Sequence, residues 1–335
     1  MTAGQAEHAA RWSEPRPDGK IACLLCPHAC VISETRPGKC GVRQSRGGTL
    51  VLPFYGRISS LAVDPIEKKP LYHFYPGSQI LSAGFVGCSF HCRFCQNWEI
   101  SQATSSGTRF MPPSDLVSAA RREGSFAIAY TYSEPLVHAE YVVDTARLAH
   151  EAGLKNVLVS NGYLNPGPAS EVLGLMDAAN IDLKGFDEQF YRVETGGSLA
   201  EVQRFLSQAA GRVHLEVTTL VIPTKNDDPA QIEGIARFVA SLGADVPLHL
   251  SAYHPDYKYS IPATTAPAIL ELAEIARRHL RFVYVGNLGA EECNTNCASC
   301  GKLLVSRFGY DVKVVGVTHG ACASCGAAVP IVGLS

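Results

Sequence analysis

The sequence predicts an α/β fold in which parallel strands alternate with covering helices. Three observations predict it. Seven short apolar runs are spread along the 335 residues, helix-period segments lie between them, and residues 96–292 hold none of the twelve cysteines. The runs are "ILSAGFVG" (80–87), "FAIAYT" (126–131), "NVLVSNG" (156–162), "AANIDLKG" (178–185), "HLEVTTLVIP" (214–223), "PLHLSAYHP" (247–255) and "FVYVGN" (282–287). Their nearly continuous apolar character suits parallel strands covered on both faces. Between them, "SDLVSAARREG" (114–124) offers Ser114 as an N-cap and Gly124 as a stop. "LVHAEYVVDTARLAHEAG" (136–153) keeps an apolar stripe up to Gly153, and "PAQIEGIARFVASLG" and "APAILELAEIARRHL" repeat the pattern. Strand and helix alternating at roughly 30-residue intervals imply a right-handed parallel wind, as a full barrel, a partial barrel or an open sheet.

Composition narrows the function classes. The net charge of −2, from 29 basic and 31 acidic residues, gives no field favouring nucleic acid or a membrane surface. No apolar run approaches the ~18 residues of a spanning helix. The opening "MTAGQAEHAARWSEPRPDGK" has no basic head followed by an apolar core. The expectation is a cytoplasmic protein, and its cysteines are then metal ligands or catalytic groups rather than a disulfide framework.

Those cysteines form three groups: 23, 26, 30 and 40; 88, 92 and 95; 293, 297, 300, 322 and 325. "GCSFHCRFCQNWEIS" (87–101) brings Cys88, Cys92 and Cys95 into one loop after the first long strand. A closed structural site takes four protein ligands, so three thiolates leave a coordination position for an exogenous ligand. In a β/α barrel, chemistry sits at the C-terminal strand ends. The other unusual polar residues fall there too: "TYSEP", "SNGY" and "DLKGF". The bland alternative for each is a polar loop or capping residue. On the sixth run, His249 and His254 are candidate catalytic residues, against the commoner role of a packed or hydrogen-bonded histidine. Glu216, Thr218 and Thr219 are inward candidates on a strand where alternation turns half the residues inward.

The "CSFHCRFC" stretch resembles the CxxxCxΦC motif of the radical S-adenosylmethionine (SAM) superfamily, with Phe94 as the aromatic residue. Within it, the chain is similar to the AmmeMemoRadiSam radical SAM proteins, relatives of the pyruvate formate-lyase activating enzymes. "CLLCPHAC…GKCGVR" (23–43), "DPIEKKPLYHFYPGS" (64–78), "CQNWEIS" (95–101), "YTYSEP" (130–135), "NIDLKGF" (180–186) and "YVGN" (284–287) carry that likeness. The resemblance implies a partial (β/α)6-type barrel and a 4Fe-4S cluster on Cys88, Cys92 and Cys95. It also implies reductive cleavage of SAM to a 5′-deoxyadenosyl radical that abstracts hydrogen from a small-molecule substrate. A flavodoxin- or ferredoxin-type electron donor is implied. Ser133 and Glu134 take the place of the motif that holds the SAM amino group, with Asn161, Asp182 and Lys184 within reach of its carboxylate and ribose. Lys184 suits a carboxylate as a point charge.

The remaining cysteines suggest further metal. Cys23, Cys26, Cys30 and Cys40 could close a second site, with zinc or an auxiliary iron–sulfur cluster; related activating enzymes carry ferredoxin-like cysteine insertions, which favours iron. Cys297-x2-Cys300 and Cys322-x2-Cys325 read as a zinc-ribbon or rubredoxin-like site around the hairpin "KLLVSRFGYDVKVVGV", zinc being the default. Cys293 is left over, inert or a sign that the tail binds a cluster. The implied organisation is an N-terminal cysteine-rich segment (1–78), the barrel (79–290) and a C-terminal metal-binding extension (291–335). The chain has Ala252 where these relatives usually have arginine, and "AVPIVGLS" lacks their Gly-x-Trp ending. A specialised, biosynthetic member is implied. The alternatives are sulfur insertion from an auxiliary cluster into a sugar or nucleoside, activation of a glycyl-radical enzyme, and a non-catalytic iron–sulfur carrier or scaffold.

Overall fold

A computed structural model describes residues 8–102, 107–288 and 293–334. At its centre is an eight-stranded sheet. In chain order its strands are β1 (Ser60–Pro65), β2 (Gln79–Gly84), β3 (Ala127–Thr131), β4 (Lys155–Ser160), β5 (Ala178–Asp182), β6 (His214–Val221), β7 (Leu248–Ala252) and β8 (Val283–Gly286). Each pairs with its neighbours in that order, and every pairing from β2 to β8 is parallel. Each apolar run of the sequence coincides with one of these parallel strands to within a residue at its start. β3 is buried throughout, as a strand covered on both faces must be.

Six helices make the crossovers: α1 (Pro113–Arg122), α2 (Ala139–Glu151), α3 (Pro166–Leu173), α4 (Leu199–Ala209), α5 (Pro229–Leu242) and α6 (Ala266–Arg277). Their apolar stripes, such as Ile232, Ile235, Ala236 and Val239 of α5, bury against the sheet in one large core. Asp228 caps α5 by accepting from Ala230 N at 2.8 Å. The Ser114 cap is not made: α1 starts one residue earlier at Pro113, because proline at N1 needs no hydrogen-bond acceptor and pre-sets the helical φ. Gly124 and Gly153 do end their helices in the left-handed region, at φ +64° and +76°. The predicted 136–153 helix opens as a 3-10 turn, Pro135–His138, before α2.

β1 is antiparallel to β2 and forms one edge of the sheet, with β8 at the other. The sheet is therefore open, the partial barrel, and it draws an edge strand from residues the sequence assigned to the N-terminal segment. The 290/291 boundary lies outside the described residues. Upstream, Ile21–Cys23 and Val31–Ile32 belong to a small antiparallel sheet carrying the first cysteines. Downstream, β9 (Leu303–Phe308) and β10 (Asp311–Val314) form the antiparallel hairpin expected between the two CxxC pairs. No helix among the described residues is long and apolar enough to cross a membrane.

Candidate active site

The C-terminal strand ends open into a cavity of about 860 Å³. The cysteine loop enters it from β2. Gly87 makes that turn possible: its φ is +81°, and a Cβ there would sit 2.5 Å from the Cys40 carbonyl oxygen. The loop is pinned from outside, His91 N donating to Thr195 O at 2.8 Å and Arg93 N to Glu194 O at 3.1 Å. Cys88, Cys92 and Cys95 all line the cavity. Phe90 N donates to Cys88 Sγ at 3.3 Å, and Cys95 Sγ lies 3.1 Å from Ser101 Oγ. Burial pushes the Cys92 thiol up to about 12, against the pull of Lys184; burial and then Glu134 push Cys88 up as well. These thiols therefore stay protonated unless a cation binds them directly.

Glu134 is the buried acid of the site. Its oxygens accept from Leu136 N (3.0 Å), Ser160 Oγ (2.7 Å) and Asn161 N (2.9 Å). Burial still raises it to about 7, because the hydrogen bonds only partly replace water. Asn161 Nδ2 donates to Ser89 Oγ at 3.0 Å, which ties the end of β4 to the cysteine loop. Asp182 and Lys184 pair at 2.8 Å. Burial pulls Lys184 down, but Asp182 and Cys92 outweigh it and the ammonium is held above its ordinary value. Ser133 Oγ donates to Phe85 O at 2.9 Å, and Phe94 is buried in an offset stack with Phe190. All six of these predicted residues line the one cavity.

The histidines separate. His249 lines the cavity and holds Glu216 through Nε2–Oε2 at 2.6 Å. Glu216 also accepts from Tyr72 N and His73 N. His254 is corrected: it is exposed, does not line the cavity, and rests against the Gln96 amide at 3.3 Å. It sits beyond the end of β7, where the chain has already turned to the surface. Thr218 faces in. Thr219, one residue on, points the other way and donates to Leu183 O at 2.7 Å. Ala252 is buried and does not line the cavity; its carbonyl accepts from Asn287 Nδ2, which does.

Several lining residues carry no predicted role: Lys68, Lys69, Tyr72, Tyr132, Asn287 and Tyr310. Tyr132 and Asn287 hold left-handed backbones at strand ends, φ +71° and +63°. Lys69 is buried against Asp64 at 2.6 Å and faces the Tyr132 ring at 4.3 Å. Lys68, Lys69 and Tyr72 lie in the quoted segment 64–78, whose sequence assigned none of them to the cavity.

The metal sites differ in geometry. Cys297 and Cys325 hold their sulfurs 3.7 Å apart, and so do Cys300 and Cys322. Four thiolates at the ~2.3 Å zinc–sulfur distance on a tetrahedron stand about 3.8 Å apart, so these four sulfurs could hold a metal ion. Backbone N–H groups of Cys300 and Ser299 lower Cys297 to about 6. Cys293 is not part of this set. It is buried at the cavity wall, where Tyr72 Oη donates to its sulfur at 3.5 Å.

A sequence description of the radical SAM superfamily matches residues 84–239, which hold the cysteine loop and the strand ends that face it. The chain belongs to the radical SAM superfamily. It is 39% identical over 336 residues to Uncharacterized protein MJ0808 of Methanocaldococcus jannaschii, covering 96% of this chain and 99% of that one. It is 24% identical over 182 residues to the pyruvate formate-lyase-activating enzyme of Clostridium pasteurianum, 51% of this chain and 73% of the relative. Among solved structures, SuiB of Streptococcus suis bound to S-adenosylmethionine aligns with a TM-score of 0.51 at 13% identity, over 66% of this chain and 53% of that one. A radical SAM methyltransferase from Sphaerobacter thermophilus aligns at 0.50 and 17%, over 69% and 71%. At such identities the likeness is one of fold. Membership implies a 4Fe-4S cluster and SAM. The residues fit them: three thiols, that of Cys92 buried and those of Cys88 and Cys95 half-buried, line one cavity, with the buried carboxylate of Glu134 beside Cys88.

Proposed function

We propose that this radical SAM enzyme abstracts a hydrogen atom from a small-molecule substrate held in the 860 Å³ cavity. The observation that carries the reading is the convergence of three thiols and Glu134 on one cavity. Cys88, Cys92 and Cys95 would hold the cluster. Cluster and SAM together, when bound, supply a 5′-deoxyadenosyl radical after one-electron reduction, and the protein's share is position and exclusion of water.

Glu134, in its ionised form, accepts the SAM ammonium, and Asn161 fixes the loop that presents it. Lys184 offers a cation for the SAM carboxylate, oriented by Asp182. Phe94 closes the apolar side. His249, oriented by Glu216, lines the substrate side of the cavity with Tyr72. A cavity of this size suits SAM with a small second molecule, since small-molecule pockets run to about 1,000 Å³. An electron carrier would have no use for it. The electron comes from a low-potential donor of the flavodoxin or ferredoxin class.

The test is anaerobic incubation with SAM and a strong reductant. The wild type should release 5′-deoxyadenosine and methionine, and Cys92→Ala none. Undiminished release by Cys92→Ala would sink the proposal.

A further inference from the structure

We infer that Lys68 and Lys69 bind an anionic group, a carboxylate or a phosphate, of the molecule whose hydrogen is abstracted. The inference rests on the reading of the cavity as the place where SAM and substrate meet, and it names the chemical class of that substrate.

The first argument is charge. Glu67, Lys68 and Lys69 follow β1, the first two within a 3-10 turn (Ile66–Lys68), and all three line the cavity. Lys69 is buried and Lys68 is half-exposed, yet one carboxylate serves both. Lys68 Nζ donates to Asp64 Oδ1 at 2.8 Å, and Lys69 Nζ to Asp64 Oδ2 at 2.6 Å. Tyr132 Oη donates to the same carboxylate, and the Tyr132 ring, 4.3 Å from Lys69 Nζ, offers a π face but no acceptor. Each ammonium has three N–H groups, and among the described residues Asp64 is the acceptor for both. Two cations therefore face one anion, and this wall carries a surplus positive charge. Burial pulls the Lys69 ammonium below its ordinary value in spite of Asp64, as befits a cation that its partner does not fully compensate.

The second argument is an open acceptor beside those donors. Glu67 is buried, and its Oε1 accepts from Gly77 N at 2.9 Å and lies 3.7 Å from Arg307 Nε, which balances its charge. Its Oε2 is buried with no hydrogen-bond partner. A buried acceptor left without a donor is costly, and a hydroxyl or ammonium next to the anionic group of a substrate removes that cost. The wall is thus shaped for an acid that carries a donor close to its charge.

The third argument is position. Asp64 pairs with Ile80, near the start of β2, whereas the cysteine loop leaves beyond the last residue of that strand, Gly84. Four residues of strand, roughly 13 Å, separate the two levels. SAM has a single carboxylate, which falls to Lys184 beyond the end of β5. The lysine pair is surplus to SAM and lies on the side of the cavity that Tyr72 and His249 also line.

The experiment is calorimetric titration of the full chain, prepared without oxygen with its cluster, without reductant, and both with and without SAM. The probes are inorganic phosphate, pyrophosphate and succinate, each against sodium chloride of equal ionic strength. The expected result is saturable binding of at least one of these anions, undiminished by SAM. Lys68→Gln, at a half-exposed position, should weaken it about tenfold, the loss of one charged hydrogen bond, and Lys68→Glu should abolish it. Preference for the phosphates assigns a phosphate ester, and preference for succinate a carboxylic acid. An anion that SAM displaces belongs to the SAM site and overturns the inference; so does the absence of saturable binding, or binding that both Lys68 variants leave unchanged. No turnover is read, so failure here and failure of SAM cleavage are told apart.

Discussion

The cysteine loop after β2 and the ribbon at the C-terminus use the same ligand for opposite ends. The ribbon supplies four sulfurs within 4.8 Å of one another, two pairs of them at 3.7 Å, a full set for a closed site. The loop supplies three, each lining a cavity that also holds Glu134, Lys184 and His249. A closed set of ligands stabilises a fold; an incomplete one beside a cavity recruits a reactant. What separates staple from catalyst is therefore the count and the surroundings, and the thiols themselves are alike.

The two regions nevertheless meet. Tyr310, in the turn between β9 and β10, lines the cavity, and so does Cys293 at the ribbon's root. The tie is Arg307 on β9. It donates to Cys293 O (3.0 Å), Thr295 Oγ1 (2.7 Å) and Tyr72 O (2.7 Å), and its guanidinium lies 4.4 Å over the Tyr72 ring. The ribbon is a wall of the cavity, held by this buried cation together with the backbone bonds of Val332 to His73 and Tyr75.

The sharpest break between the regions is a cysteine exchange. Cys95→Ala should remove all measurable 5′-deoxyadenosine formation while zinc stays at one per chain; Cys300→Ser should do the reverse, losing zinc and keeping SAM cleavage. Metal analysis beside the product assay reads both. Next in size is Arg307→Met, expected to destabilise the protein by about 3 kcal/mol, since four buried contacts lose their charge. Denaturant unfolding measures it, and a change under 1 kcal/mol would mean that the ribbon is held by something else.

Glu134 gives a smaller, pH-dependent effect. Its folded value, about 7, lies above its ordinary 4.5. The protonated form therefore favours the folded, SAM-free protein: that contribution is full below pH 4.5 and is lost as pH rises through 7. SAM binding should run the other way, tightening as pH rises through 7, because the ammonium needs the carboxylate. Glu134→Gln should flatten both dependences and weaken SAM about tenfold, the loss of one charged hydrogen bond. Melting temperatures and SAM titrations from pH 5.5 to 8.5 test this; unchanged slopes would refute it. The smallest effect belongs to the histidines that sequence treats alike. His254→Ala, at the surface, should stay within about 0.5 kcal/mol of wild type. His249→Ala strips Glu216 of a buried partner and should cost about 2 kcal/mol. Equal effects would erase the distinction.

The barrel was legible because β2 to β8 are buried on both faces and their apolar runs have no competitor. β1 was not. "SLAVDP" carries a proline and an aspartate and exposes Ala62 and Val63, one on each face, so only pairing with β2 defines it. Cys88, Cys92, Cys95 and Glu134 were readable from spacing and from their place at strand ends, where topology alone brings them together. Lys69, Tyr72 and Tyr310 were not, since each reaches the cavity through a contact with a distant segment: Asp64 with Tyr132, Glu216 with Arg307, and the ribbon. His249 and His254 could be separated only by the turn that follows β7. The 4+1 division of the last five cysteines likewise needed coordinates, because Cys293 has ligand-like spacing in sequence and faces the other way in space.

The central claim is that the loop, and not the ribbon, is where SAM meets metal. Electron paramagnetic resonance of the reduced protein, with and without SAM, tests it most directly. The account predicts a SAM-induced change in the cluster signal that persists in a Cys300→Ser, Cys322→Ser double variant and is absent in Cys92→Ala. A SAM response that survives in Cys92→Ala and disappears with the ribbon cysteines would contradict it.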